Sequence, residues 1–172
     1  MPYKRIMLIG SGGSGKSTLA RRIGKHTGLS VIHLDREFWH IDWMPTPKPE
    51  WKQKVEAFAA GEQWIIDGNF DSTFELRWPR ADLVIYLDFN TFVCLWRVIR
   101  RRRTVRPDMP DGLVEAPFFS KNYLEFLLWV TTFRRKKHRR ILDMSEKYPH
   151  AVFVQLKNNR QIEEFLKAEG II

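Results

Sequence analysis

The chain has 172 residues, 44% of them apolar, with 7 Trp and 12 Phe; that is one domain's length with enough apolar mass for a core, so wholesale disorder is excluded. It has no apolar run of about 18 residues and no signal-peptide pattern, and its single cysteine, Cys94, excludes an internal disulfide and a cysteine-based zinc site, so a cytoplasmic location is expected. With 29 Lys/Arg against 20 Asp/Glu the net charge is +9, which calls for an anionic partner: nucleotide, nucleic acid or lipid surface.

Residues 4–9 form a predicted buried strand that runs straight into Gly10-Ser11-Gly12-Gly13-Ser14-Gly15-Lys16-Ser17-Thr18. This fits G-x-x-x-x-G-K-[ST], and the chemistry explains the spacing. Glycines let the backbone wrap close to phosphates with several N–H groups aimed at the anion. Lys16 then reaches the β- and γ-phosphates, and the Ser17 hydroxyl ligates magnesium. A helix predicted over 16–27 adds its positive end. A strand before the motif and a helix after it set it apart from a chance Gly/Ser turn.

A second strand is predicted over 31–34 and ends at Asp35. That carboxylate can orient or deprotonate an acceptor hydroxyl opposite the γ-phosphate, or simply cap a short following helix. His33 and His40 read as packing or surface histidines, because five scattered His offer no i, i+4 metal-ligand pair. The stretch 35–49, with Phe38, Trp39, Trp43 and prolines 45, 47 and 49, reads as a loop and a candidate substrate region. Trp39, Trp43 and Trp51 can stack on an aromatic acceptor; core beneath a loop is the preferred reading.

A helix over 49–60 leads to a third strand at 64–66, with Asp67-Gly68-Asn69-Phe70 at its carboxyl end. Asp67 is the candidate for holding magnesium through its water shell, the alternative being a turn-starting Asp. Motor ATPases place a glutamate after this aspartate to polarise water; glycine here favours transfer to another acceptor. A strand over 83–87, a helix over 91–103, a Pro/Asp/Gly loop over 104–117, a helix over 120–147, a strand over 151–155 and a helix over 160–168 complete the chain. The long helix carries Tyr123, Phe126, Leu127, Val130, Phe133, Ile141 and Met144 at core-facing spacing. Alternating strands and helices predict one α/β domain over 1–172, a parallel sheet with helices on both faces. Ligands of such sheets bind beyond the strands' carboxyl ends.

The positive charge is local. Residues 97–140 hold thirteen Lys/Arg against four acids and account for the whole net charge. Arg97 and Arg101 lie one helical turn apart, and arginine forks suit phosphate oxygens during phosphoryl transfer. For most members of the run a solvated basic face is the simpler reading. Thirteen cations exceed the need of one nucleotide, so nucleic acid binding through 97–140 stays open.

Taken together, Ile9–Thr18, His33-Leu-Asp-Arg-Glu-Phe-Trp39, Trp64-Ile-Ile-Asp-Gly-Asn69 and Thr104-Val-Arg-Pro-Asp-Met109 resemble the adenylate kinase-like and shikimate kinase-like P-loop kinases. The similarity is closer still to bacterial proteins described as DNA topology modulation proteins. It implies a three-layer sandwich around a five-stranded parallel sheet of order 2-3-1-4-5, an acceptor-binding region over 35–60 and an Arg-rich lid over 104–118. It further implies ATP with Mg2+ and a small-molecule acceptor. By resemblance, Gly10–Thr18 bind phosphates, Ser17 and Asp67 serve the metal, and Arg97 and Arg101 are adenine-stacking and phosphate arginines. The loop with Asn158 reads adenine through its backbone. Asn69 and Phe70 depart from the nucleoside monophosphate kinase pattern, and no arginine matches the one that grips an acceptor's monophosphate. The competing function is a nucleotide-regulated nucleic-acid-binding protein with slow ATP hydrolysis.

Overall fold

Strands that are apolar on both faces need a layer of helices on each side, and the computed structural model, which describes residues 1–40, 43–101, 108–110 and 120–171, has that arrangement. β1 (Arg5–Gly10), β2 (Val31–His33), β3 (Trp64–Asp67), β4 (Leu83–Leu87) and β5 (Val152–Leu156) form one sheet in the order β2-β3-β1-β4-β5, with every pairing parallel. The helices are α1 (Lys16–Thr27), α2 (Leu34–Phe38), α3 (Lys48–Ala60), α4 (Phe74–Arg77), α5 (Thr91–Arg100), α6 (Lys121–Lys147) and α7 (Asn159–Ala168).

Alternation along the strands divides the core. Ile6 and Leu8 of β1 join Ile65, Leu83 and Ile85 in a cluster with Leu19 and Ile23 of α1, Val98 of α5 and Leu166 of α7. Met7 and Ile9 point the other way, joining Ile66, Val84 and Tyr86 against Trp51 and Val55 of α3, Phe74 of α4 and Ile141 and Met144 of α6. Successive side chains on a strand face opposite sides, so one short strand feeds both layers. Trp129 of α6 packs against both clusters, so this helix bridges the two layers.

One local expectation needs correction. The stretch after β2 is not all loop: Leu34–Phe38 is helical, and Asp35 stands in its first turn rather than at its N-cap, which is His33. The segment after β3 holds a 3-10 turn at Asp71–Thr73, then α4, then a second 3-10 turn at Trp78–Arg80. Of the expected lid, only residues 108–110 lie among those described, so a lid over 104–118 falls mostly outside them. Among the described residues, no helix is long and apolar enough to cross a membrane.

Candidate active site

The switch in strand order on either side of β1 opens a crevice at the sheet's carboxyl edge, and the phosphate-loop sequence lies there, joining β1 to α1. Gly13 has φ +80°, and a Cβ on it would overlap the carbonyl oxygen of Cys94 in α5. Only glycine lets the loop approach that helix backbone. α1 begins at Gly15 without a side-chain cap and has no acid in its first turn, leaving its N-terminal N–H groups for an anion.

Lys16 Nζ donates to the Ser11 carbonyl at 3.1 Å. Burial pushes this ammonium below its ordinary value of 10.5; Asp67 and Asp35 pull it back up and Arg101 pushes it down. Lys16 and Ser17 line a cleft of about 830 Å3 together with Asp35, Arg101 and Asp108. Ser17 Oγ donates to Asp108 Oδ2 at 2.9 Å.

Asp67 ends β3 and is buried. Its Oδ2 accepts from His33 Nδ1 at 2.8 Å, because an ionised carboxylate can only accept. Its Oδ1 is buried and has no hydrogen-bond partner among the described residues. An acceptor atom left in that state, on a carboxylate near enough to act on the Lys16 ammonium, fits the water shell of a divalent cation. His33, read from the sequence as packing or surface, is therefore the partner that orients this carboxylate. Gly68 explains the missing glutamate: with φ +148°, a Cβ there would lie 2.7 Å from Leu34 Cβ.

Two residues hold the loop after β3, and the sequence singled out neither for this. Asn69 Oδ1 accepts from Gly10 N at 2.9 Å, while Asn69 Nδ2 donates to Gly10 O at 2.5 Å. Arg77 is fully buried. It donates to the carbonyls of Gly68 at 3.1 Å, Asn69 at 2.6 Å and Phe70 at 3.3 Å, and to Thr73 Oγ1 at 3.1 Å. Burial pushes its guanidinium down to about 9, against the pull of Asp67 and Asp71.

The paired arginines divide. Arg101 lines the cleft. Arg97 sits outside it, on the β4–β5 side, where Nη1 donates to the Gly13 and Ser14 carbonyls at 3.5 and 3.4 Å and Nη2 to Asn159 Oδ1 at 3.0 Å. Its guanidinium lies 4.9 Å from the centre of the Phe89 ring. The Asn158 side chain caps α7 by accepting from Gln161 N and its carbonyl accepts from Ile162 N, which leaves its backbone N–H able to meet a ligand. The three tryptophans divide too. Trp51 is buried core, as preferred from the sequence, whereas Trp39 and Trp43 line the cleft.

Among the described residues, three of the six Lys/Arg at 134–140 have carboxylate partners, as does Lys147 near the end of α6. Arg134 pairs with buried Asp88, Lys137 and Arg140 pair with Asp71, and Lys147 pairs with Glu75. Asp88 is further committed to Tyr86 and Gln155.

No protein-family model matches the chain, and no curated protein matches it in sequence. Solved structures do match. Shikimate kinase from Acinetobacter baumannii, in complex with shikimate, superposes with a TM-score of 0.60 at 16% identity, covering 98% of this chain and 94% of that one. A sugar kinase from Janibacter sp. HTCC2649 gives 0.55 at 18% identity, covering 99% and 96%. Neither name concerns DNA. The five-stranded sheet order and these two superpositions show that the chain has the P-loop kinase fold.

Proposed function

We propose that the chain is an ATP- and magnesium-dependent phosphotransferase acting on a hydroxyl of a small molecule, a single domain with its acceptor region in 35–60 and its lid in 104–118. The observation that carries this reading is that Lys16, Ser17, Asp35 and Arg101 line one cleft with the glycine-rich loop. In this reading the loop amides and Lys16 hold the triphosphate. The nucleoside lies on the β4–β5 side, bordered by Arg97 and the Asn158–Asn159 backbone, and the acceptor lies on the β2–β3 side. Ser17 and Asp67 are the residues that would hold magnesium, which when bound neutralises charge on the phosphates. Asp35 accepts the proton of the acceptor hydroxyl as its oxygen bonds to the γ-phosphorus. The bond from that phosphorus to the bridging oxygen breaks, and ADP leaves. Arg101 faces the charge on the transferring group.

Incubation with ATP, magnesium and a panel of hydroxyl-bearing metabolites tests this. ADP release stimulated by one acceptor, and abolished in Lys16→Ala with the fold retained, is the expected result. Full activity in that variant would remove the site assignment. The counter-ions on α6 weigh against the nucleic-acid reading. If no acceptor stimulates release and duplex DNA binds with a steep salt slope, that reading displaces the kinase.

A further inference from the structure

We infer that the acceptor is an uncharged molecule of nucleoside size with a flat unsaturated ring and a free hydroxyl, and that phosphate- and carboxylate-bearing acceptors are excluded. This names the substrate class of the site above and rests on the kinase reading. The cleft is walled by Trp39 and Trp43 from the segment after β2, Phe70 and Phe74 from the segment after β3, and Trp129 and Phe133 of α6. Trp39 and Trp43 meet edge to face with centroids 5.5 Å apart, and Phe38 braces Trp39 from 4.8 Å. Aromatic walls of this kind recognise flat rings by offset and edge contacts.

The backbone supplies a second, independent observation. Among the described residues, the only non-glycine residues with positive φ are Trp43 at 59° and Phe70 at 33°, and both are walls of this cleft. Bulky residues rarely adopt that conformation, and such strain gathers at ligand sites. Here it falls on two rings that come from different loops and line the same space.

Charge then selects among flat molecules. The cation at this end is Lys137, held by Asp71 at 2.7 Å, and Arg140 also binds Asp71. Lys16 and Arg101 repel each other at the phosphate end, and Arg21, one turn after Ser17 on α1, lines the cleft there as well; these three cations serve the triphosphate in the kinase reading. A monophosphate or carboxylate docked among the rings would meet Asp35 and Asp71 while the nearby lysine is already engaged. An uncharged hydroxyl compound meets no such penalty.

The test uses the full chain with matched pairs: adenosine and thymidine against their 5′-monophosphates, with shikimate and a non-aromatic sugar as further arms. ADP release measures transfer, and calorimetry without ATP measures binding to the cleft. The expected result is that a nucleoside or another neutral aromatic alcohol stimulates release and binds alone. Trp43→Ala should raise its KM about tenfold or more with kcat within about threefold, and Trp39→Phe serves as the milder variant if the first melts early. Stimulation only by a monophosphate, by shikimate or by the non-aromatic sugar overturns the acceptor class and leaves the kinase reading standing. Ring binding without transfer keeps the ligand class and overturns the kinase reading. Absence of both binding and stimulation by every neutral ring overturns the inference.

Discussion

Ser17 Oγ donates its proton to Asp108 Oδ2 across 2.9 Å, joining the phosphate loop to a residue 91 positions further along the chain. A hydroxyl whose proton is fixed this way turns its lone pairs to the other side, the orientation a cation requires. Asp108→Ala is therefore expected to raise the magnesium concentration for half-maximal activity about tenfold. That corresponds to about 1.5 kcal/mol, the lower worth of a hydrogen bond to a charged group. Turnover at saturating magnesium should stay within about twofold. A magnesium titration of wild type and variant checks it; a lowered requirement would mean that Asp108 competes with the metal for Ser17.

The clamp formed by Arg77 leads to a stability prediction. Its guanidinium satisfies three consecutive backbone carbonyls in the buried loop after β3. Arg77→Met takes this donor from the Gly68 and Asn69 carbonyls, while Phe70 keeps its bonds from Thr73, and should destabilise the protein by about 3–5 kcal/mol. Arg77→Lys should recover only a minor part, because an ammonium lacks the planar fork. Urea unfolding curves give the comparison, and an effect below about 1 kcal/mol would contradict the clamp.

Gly13→Ala places a methyl group on the Cys94 carbonyl oxygen at a φ of +80°. Backbone strain and overlap together should cost roughly 2–4 kcal/mol, and nucleotide binding should fall with the displaced loop. Thermal melting with and without ATP reads both effects. A variant that melts normally and still shifts with ATP would show that the loop relaxes freely against α5.

Lys16 gives a pH signature. Its proton is held less tightly in the folded chain than at the ordinary value of 10.5, so the unfolded state binds more protons as that range is approached. Stability linked to this group then rises with pH through the lowered folded value and levels off above 10.5. Lys16→Met removes the cost of burying the charge. It should melt higher than wild type at pH 7 without ligand, with the gap closing as pH approaches 10.5. ATP should no longer shift its melting temperature. A gap that widens with rising pH would reverse the sign of the burial effect.

The central strands were legible in the sequence because they are buried on both faces, so Ile6–Ile9 and Leu83–Leu87 read as unbroken apolar runs. The phosphate loop was legible because its chemistry depends on neighbours in sequence. What escaped notice depends on distant partners or on very short elements. Leu34–Phe38, raised from the sequence only as an alternative to a loop, is too brief to show helical periodicity. His33 gains its role from Asp67, Arg77 from the Gly68–Phe70 carbonyls and Asn69 from Gly10, and none of these pairings leaves a trace in local pattern. The basic run on α6 was visible as charge, but the pairing of Arg134 with Asp88 and of Lys137 and Arg140 with Asp71 is a property of the fold.

The two hydrogen bonds between Asn69 and Gly10 fasten the origin of the phosphate loop to the residue just before Phe70. The floor beneath the transferring group and one wall of the acceptor space therefore move as a single piece, with Arg77 as its bracket. No hinge can run between them. Any closing motion that brings donor and acceptor together must therefore be carried by elements outside this fixed corner, which acts as the anvil of the site.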